Sequence, residues 1–532
     1  MSERFRVLIA DAINAEGLEP LQQDSRFELV EKPGLKGEDL ARAIEDADAV
    51  VVRSGTRITR DSLKYASRLK VIGRAGVGVD NIDVEAATEM GVAVLNAPSG
   101  NTISAAELTF ALLLALVRKV PAADRSMRAG EWDRKSFNGV ELYGKTLGLV
   151  GAGRIGSEVA RRARAFGMRV VAYDPYLTPE RASTLEIEQG TLEEVLRRAD
   201  VISLHVPLTE ATANLIGEEQ LALLKKTALI VNAARGGVIN EAALHTALSN
   251  KQIAGAAFDV FEEEPLPADH PLRSLSNVVL TPHLGAATAE AQQNVAIEIA
   301  EAVRAALIEG DYSRAVNAPA IGGEEMRKLR PLLALAERLG TLASAISDGA
   351  PERVELRYAG AIESGLRPLT SAALIGVLRE AVGKSAVNFV NAIHLAETRG
   401  IQVERARVGA QHDYAEYIEL RLNTRSQKTL VAGALLSEAH SRVVRIDGFY
   451  VDVQPRGSLV VLRNRDVPGV IGRVGTVLGN AGINIGEYHQ ARMEAGGDAL
   501  AAITVDGKLP HDVVDKLRAL PEVLDVRQAH LE

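Results

Sequence analysis

The sequence predicts an α/β protein: two doubly wound parallel-sheet domains, then an α+β domain, then a ferredoxin-like βαββαβ domain. Three observations predict it. Short apolar runs alternate with polar helical stretches in two separate series. A glycine-rich turn, "GLVGAGRIG", opens the second series between a strand pattern and a helix pattern. After Ala320 the alternation stops and a different texture begins. At 532 residues the chain is several times the ~100–200 residues of one domain, so several packed units are expected.

The first series runs from residue 5 to about 95 through "RVLIA", "LARAIEDA", "DAVVVRS", "LKVIGRA" and "GVAVLNA". Apolar strands separated by helical segments indicate βαβ units on a parallel sheet. "LTFALLLALV", Leu108 to Val117, is half the length a membrane span requires and reads as a buried helix, with "SAAE", Ser104 to Glu107, as its capping box. The second series continues from "KTLGLVGAG" through "MRVVAYDP", "ADVISLHVP", "ALIVNAAR", "IAGAAFDVF" and "NVVLTPH". Gly322 and Gly323 mark a linker, and residues 325–347 are expected to form one helix. A helical run over 370–399 and antiparallel strands "YIELRL", "TLVAGALL" and "RVVRIDGFYVDV" complete a middle block whose expected role is assembly. The last block reads strand "SLVVLR", helix "PGVIGRVGTVLGNAG", strands "INIGEYHQ" and "ALAAITVD", helix "HDVVDKLRAL", strand "VLDVRQA", the split βαββαβ order.

Composition narrows the function. Apolar residues at 47% and charged ones at 25% are ordinary for a folded chain, which argues against disorder as the theme. A formal charge of −9 argues against a nucleic-acid partner, since phosphate backbones are bound by clustered cations. The absence of cysteine excludes disulfides and thiolate metal sites, and no metal is expected. The start "MSERFRVLIADA" lacks the apolar core of a secretory signal, and no stretch is long enough to span a membrane, so a cytoplasmic location is expected.

Gly151, Gly153 and Gly156 stand where a strand gives way to a helix, the context that makes this spacing informative. The first permits a tight turn, the second lets backbone approach a pyrophosphate, and the third lets helix and strand pack closely. The helix N-terminus adds unpaired N–H groups and a positive dipole end. Eighteen residues past Gly156, at the end of the next strand pattern, Asp174 can accept from ribose hydroxyls and would repel a 2′-phosphate. The expected cofactor is NAD.

A hydride enzyme acting on a hydroxyl must also move a proton and hold a carbonyl oxygen. Arg235 in "NAARGGVIN", Glu264 in "DVFEEEPLP" and His283 in "VVLTPHLG" each follow an apolar strand, hence share the carboxyl end of one sheet. The arginine fork suits a carboxylate, and a carboxylate beside the imidazole favours its charged form. Glu262 and Glu263 compete with Glu264 for that role. Arg53 in "VVRSGT" and Arg74 in "GRAG" stand at strand ends of the first series, and Arg134 with Lys135 lies in "EWDRKSF"; these cations suit a substrate that also carries a phosphate.

"GRAGVGVDNID", "NAPSGNTISAAEL", "VGAGRIG", "NAARGG", "DVFEEEP" and "TPHLGAAT" occur in this order, and with them the chain resembles the D-2-hydroxyacid dehydrogenase family, in its long form, over essentially all its length. The resemblance implies Arg235, Glu264 and His283 as the catalytic set. It implies Arg154, Ile155, Val206, Ala233 and Gly285 as cofactor-lining residues, with Asp259 near the nicotinamide. It adds Ser54, Gly76 and Asn101 to Arg53 and Arg74 as substrate positions. It implies NAD-dependent oxidation of 3-phospho-D-glycerate to 3-phosphooxypyruvate, the first step of L-serine synthesis. The domains it implies are a discontinuous substrate domain (1–97 and 286–320), a Rossmann NAD domain (98–285), an intervening assembly domain (321–455) and a terminal ACT domain (456–532), arranged as a homo-oligomer, a tetramer.

"NRDVPGVIGRVGTVLGNAGINI" resembles the ACT domain, and Asp466 and Asn484 match its effector-contacting positions. L-Serine is the effector this implies, while Asn464 departs from the histidine or tyrosine of serine-inhibited relatives. Two rival readings remain open: a glyoxylate or hydroxypyruvate reductase on the same fold, which needs no phosphate-binding arginines, and a NAD-sensing regulatory protein.

Overall fold

The computed structural model describes residues 4–383, 385–409, 414–437 and 440–531. Five short strands open the chain: β1 (Phe5–Ile9), β2 (Phe27–Glu31), β3 (Ala49–Val52), β4 (Val71–Arg74) and β5 (Ala93–Asn96). All pairs are parallel, in the order β2-β1-β3-β4-β5. A parallel sheet needs both faces covered, and alternation of side chains supplies two cores. Val7, Ile9, Val51 and Val71 point to one face, where Val295, Ile299 and Val303 of the much later helix Ala289–Glu309 cover them. Leu8, Val50, Val52 and Ile72 point to the other, against Leu40, Ile44 and Leu63. The chain therefore returns to its first domain after leaving it.

The second sheet holds seven parallel strands: β6 (Thr146–Val150), β7 (Arg169–Tyr173), β8 (Glu188–Gln189), β9 (Val201–Leu204), β10 (Leu229–Asn232), β11 (Gly255–Phe258) and β12 (Val278–Leu280). Their order is β12-β11-β10-β9-β6-β7-β8, so the strand order reverses between β6 and β9. Open α/β sheets bind ligands outside the strand ends at that reversal. The helix Thr102–Val117 packs on this sheet through Phe110, Leu113 and Val117. Its start corrects the sequence reading: helical geometry begins at Thr102 behind Asn101, so Ser104 lies inside the helix and forms no capping box. A cap must sit in non-helical geometry, and Ser104 does not; its buried hydroxyl has no partner among the described residues.

The middle domain is built on β13 (Pro351–Ala359), β14 (Gln402–Arg407), β15 (Glu416–Thr424), β16 (Lys428–Ser437), β17 (His440–Ile446) and β18 (Phe449–Val453), ordered β14-β13-β15-β16-β17-β18. The sequence reading missed β13 and β14, whose alternating charges, "PERVELRYA" and "QVERAR", disguise them. It also merged β17 with β18, which are separated at Asp447 (φ 49°) and Gly448. The expected helix is Gly323–Ile346, and the expected run 370–399 is two helices, Leu366–Val382 and Ala392–Thr398.

The last unit runs β19 (Gly457–Arg465), helix Val470–Asn480, β20 (Ile485–Arg492), β21 (Asp498–Val505), helix His511–Arg518 and β22 (Val523–Leu531), in the order β20-β21-β19-β22. Its two helices cover one face of its sheet through Val470, Val474, Val513 and Leu517. The opposite face contributes Leu459, Val461, Leu500 and Leu531 to the same core as Leu332, Leu335 and Leu339 of Gly323–Ile346. The middle and terminal domains thus share one hydrophobic interior. Among the described residues, no helix is long and apolar enough to cross a membrane.

Candidate active site

The glycine turn follows β6 and meets the loop after β9 at the sheet's reversal. Gly151 has φ 93°, a conformation that favours glycine, and a Cβ there would lie 2.5 Å from the His205 carbonyl oxygen. A Cβ on Gly156 would collide with the Gly151 carbonyl oxygen, whereas one on Gly153 would meet nothing within 4 Å. Packing therefore explains two of the glycines, while Gly153 leaves its backbone open to approach. Gly153 is the N-cap of helix Arg154–Ala165 and makes no side-chain cap, so that helix end offers its N–H groups to an anion. Asp174, just past β7, closes the turn: Oδ2 accepts from Ala152 N at 2.8 Å and Oδ1 from Tyr176 N at 2.8 Å. Ile155, Val206 and Ala233 are half-buried around it, packed against the domain's two cores. These residues fit a dinucleotide. Beneath the turn, burial drives the His205 pKa down to about 3, so the ring is a neutral partner for Ser203 Oγ at 2.8 Å.

The proton-handling groups lie on the two loops after β11 and β12. His283 Nδ1 is 2.7 Å from Glu264 Oε2, while Glu264 Oε1 accepts from Phe261 N at 3.0 Å. Glu264, and neither Glu262 nor Glu263, is the histidine's carboxylate; the Glu262 carboxylate instead accepts from Glu241 N, and the Glu241 carboxylate from Glu262 N. The bond to Glu264 raises the His283 pKa against the opposing effect of burial. Burial pushes the Glu264 carboxyl up, but the bonds from His283 and Phe261 N outweigh it and the net shift is downward. Each partner thus favours the other's charged form. His283 sits at φ 54°, a left-handed conformation that is uncommon outside glycine, although histidine adopts it more often than most residues. Asp259 holds it there: the Asp259 carbonyl accepts from His283 N, and its buried carboxylate accepts from Thr281 Oγ1 (2.6 Å), Leu284 N (2.7 Å) and Gly285 N (2.9 Å). The resemblance implied Asp259 beside the nicotinamide; the structure shows it fastening the histidine's loop. A cavity of about 620 Å³ opens beside the pair, lined also by Phe261, Pro265, Leu266 and Arg273, and is distinct from the arginine cluster below.

Arg53, Arg74 and Arg235 converge from the two parallel sheets. Arg74 is half-buried and its pKa is pushed down to about 10, first by burial and then by repulsion from Arg235, with Arg53 adding to it. Among the described residues its buried Nε has no hydrogen-bond partner, and neither has Asn101 Oδ1 at the start of helix Thr102–Val117. Arg235 lies near enough to His283 and Glu264 to lower the pKa of each. The turn that presents Arg53 and Ser54 is held by a residue the sequence reading passed over: Asp11 accepts from Arg53 N (2.5 Å), Thr56 N (3.1 Å) and Thr56 Oγ1 (2.8 Å). Asn81 closes it by donating to the carbonyls of Arg53 (2.7 Å) and Thr56 (2.6 Å). Asp11 follows β1 as Arg53 follows β3, so the strand-end rule that found the arginines would have found it. A Cβ on Gly76 would collide with the Arg74 guanidinium, which lies across that glycine. Arg134 is exposed on the segment after helix Val120–Arg128, and the structure brings it into contact with none of these groups.

Comparison with known proteins places this geometry. Residues 110–285 match the NAD-binding domain of the D-isomer specific 2-hydroxyacid dehydrogenases, residues 328–447 the D-3-phosphoglycerate dehydrogenase intervening domain, and residues 458–522 the ACT domain. D-3-phosphoglycerate dehydrogenase of Methanocaldococcus jannaschii is 43% identical over 99% of this chain and 100% of its own length. The chain belongs to the D-3-phosphoglycerate dehydrogenase family. The same enzyme of Bacillus subtilis is 42% identical over 98% of this chain and 99% of its own. Among solved structures, the TT0316 protein of Thermus thermophilus is 39% identical with a TM-score of 0.52, covering 57% of this chain and 97% of that one. A glyoxylate reductase of Paecilomyes thermophila is 32% identical with a TM-score of 0.55, covering 59% and 99%.

In this phosphoglycerate dehydrogenase family member the ACT loop is internally tied. Asp466 Oδ2 accepts from Arg492 Nη1 (3.2 Å) and Gly496 N (3.3 Å), and Asn484 Nδ2 donates to Asp506 Oδ2 (3.1 Å). Asn464 is buried, donating to the Arg465 carbonyl (2.8 Å) and accepting from Gln490 Nε2 (3.2 Å).

Proposed function

We propose that the chain oxidises 3-phospho-D-glycerate to 3-phosphooxypyruvate with NAD, opening L-serine synthesis. The observation that carries this reading is the convergence of Arg53, Arg74 and Arg235 beside the His283–Glu264 pair. Three cations exceed what a single carboxylate requires and match a substrate bearing a carboxylate and a phosphate. The glyoxylate reductase reading leaves the buried, unpartnered Arg74 Nε unexplained, and the regulator reading leaves the intact acid/base pair unexplained.

In this reading Arg235 takes the substrate's carboxylate and polarises the neighbouring C2 oxygen, while Arg53 and Arg74, with Ser54, Gly76 and Asn101, take the phosphate end. Ionised Glu264 accepts from Nδ1–H of His283, which leaves Nε2 as the base that removes the C2 hydroxyl proton. Bound NAD supplies the hydride acceptor. The O–H electron pair becomes the second bond of the carbonyl as the C2 hydrogen leaves with its electrons, and His283 keeps the proton as imidazolium beside Glu264. Reduction runs the same steps backward, with the imidazolium as acid.

The test is NADH formation from 3-phospho-D-glycerate by the purified protein, set against D-lactate, D-glycerate and a His283→Ala variant. Turnover confined to the phosphorylated acid and lost in the variant is expected; turnover of the unphosphorylated acids alone would move the substrate. The reading carries with it a cytoplasmic homo-tetramer with L-serine as effector at Asp466 and Asn484. Exposed Val120, Met127, Trp132 and Tyr143 supply apolar surface for self-association. Light scattering tests the tetramer, cell fractionation the location, and inhibition by serine the effector. The inward-turned Asn464 confines serine contacts in this chain to the neighbouring positions.

A further inference from the structure

Two carboxylates face the three arginines, and they are used differently. Asp11 has its oxygens filled by the turn it holds. Asp80, in the loop after β4, has one charged partner among the described residues: its Oδ2 lies 3.3 Å from Arg235 Nε. Arg235 Nη1 meanwhile donates to the Ala234 carbonyl at 2.7 Å. Nη2 lies so close over Gly78 that a Cβ there would collide with it, and the same Cβ would stand 2.5 Å from Asp80 Oδ2. A carboxylate binds a guanidinium in bidentate fashion through two neighbouring N–H groups. Asp80 Oδ2 stands at ion-pair distance from Nε and Nη1 is bonded to Ala234, so a carboxylate that takes Nη2 with either neighbour meets a group already beside it.

We propose that Asp80 is the resident counter-ion of Arg235, occupying the side of the guanidinium that the hydroxy acid's carboxylate takes over. Binding is then an exchange of one carboxylate for another, and because Asp80 belongs to the first domain and Arg235 to the second, the exchange happens across the cleft between them. The charge arrangement gives the device a purpose. Arg74 is repelled by Arg235 and Arg53, and Asp80 is among the charges that offset this. With Asp80 in place, the emptied site does not leave clustered cations facing one another. Asp80 is 67% exposed, so water readily replaces Arg235 when the acid arrives.

The inference rests on Arg235 as the carboxylate clamp, and kinetics of Asp80→Asn test it. An exposed ion pair makes a modest difference, so the KM for 3-phospho-D-glycerate should fall about two- to fivefold. The inhibition constant of D-glycerate, which has the carboxylate without the phosphate, should fall with it. The KM for NAD should stay within error, the inhibition constant of inorganic phosphate, which feels Asp80 only through Arg74, should fall by less than that of D-glycerate, and Asp80→Glu should restore wild-type values. A rise in KM would overturn the proposal by making Asp80 an orienting residue. Equal tightening of D-glycerate and inorganic phosphate would overturn it in favour of a general field. Should the wild type fail to turn over 3-phospho-D-glycerate, the substrate reading fails separately. Calorimetric binding of D-glycerate to the NADH-loaded wild type and variant then still reports the exchange: tighter binding by the variant supports it, and equal or weaker binding refutes it.

Discussion

Replacing Glu264 with glutamine removes one charge at nearly constant shape, and the geometry sets the consequence. The carboxylate divides its oxygens, Oε1 to Phe261 N and Oε2 to His283 Nδ1. Glutamine has a single acceptor oxygen. If that oxygen keeps the Phe261 bond, the amide NH2 faces Nδ1, which must then accept, and the ring's proton moves to Nε2. That tautomer cannot take a proton from the substrate hydroxyl. Oxidation should therefore drop toward the limit of losing the base altogether, about 10²–10⁴-fold. Imidazolium also loses its partner. A hydrogen bond to a charged group contributes about 1.5–3 kcal/mol, and the half-exposed ring keeps the effect near the lower end. The sign follows from the raised pKa: Glu264 stabilises the charged ring, so removing it shifts titration to lower pH. Oxidation needs the neutral ring, and its acid limb should move to lower pH while its plateau falls. Reduction needs the charged ring and should fail at lower pH than in the wild type. Initial rates in both directions across roughly pH 6–10 check this. An unchanged plateau with an unmoved limb would refute the pairing as the source of His283's basicity.

Gly153→Ala should raise the KM for NAD while leaving the melting temperature unchanged, because its Cβ meets nothing in the folded chain. Gly156→Ala, which drives a Cβ into the Gly151 carbonyl, should instead cost about 1–3 kcal/mol of stability, read by thermal melting. Arg74→Ala should raise the KM for 3-phospho-D-glycerate by about 10-fold or more, the size of a charge-assisted hydrogen bond, and affect D-glycerate inhibition less. A chain ended at residue 455 should aggregate or melt well below the full chain, since Leu332, Leu335 and Leu339 lose the covering supplied by Leu459, Val461 and Leu531; soluble yield and calorimetry decide.

The central strands of the parallel sheets were legible because they are buried on both faces and so read as apolar runs such as "AVVV" or "TLGLV", whereas the edge strands β2 and β8, with exposed positions and charged or polar residues, were missed. The middle domain hid two strands for the converse reason. β13 and β14 are half-exposed, and their charged positions carry ion pairs such as Arg357 with Glu355, so the apolar signal falls to alternate residues between charges. The shared interior of the middle and terminal domains was invisible for a different reason. A sheet face that packs on its own helices and one that packs on a neighbouring domain have the same alternation, so local pattern fixes burial but not what does the burying.

The site divides along similar lines. Arg235, Glu264 and His283 could be found because chemistry-bearing residues at the carboxyl ends of parallel strands face a common crevice, and that rule needs only the strands. What it could not supply was the balance of charge. Asp11, Asp80 and Asn81 are short polar residues in loops, where such residues are ordinarily solvated turn formers. Their roles exist only when the chain is folded: Asp11 reaches back to a turn 42 residues away, and Asp80 meets an arginine of another domain. A cluster of three arginines read from sequence alone looks like uncompensated charge awaiting a doubly anionic ligand. The folded chain shows it as charge already partly answered, by one carboxylate that is committed to the turn and another free to yield, and substrate affinity is then the difference between two anions competing for one guanidinium.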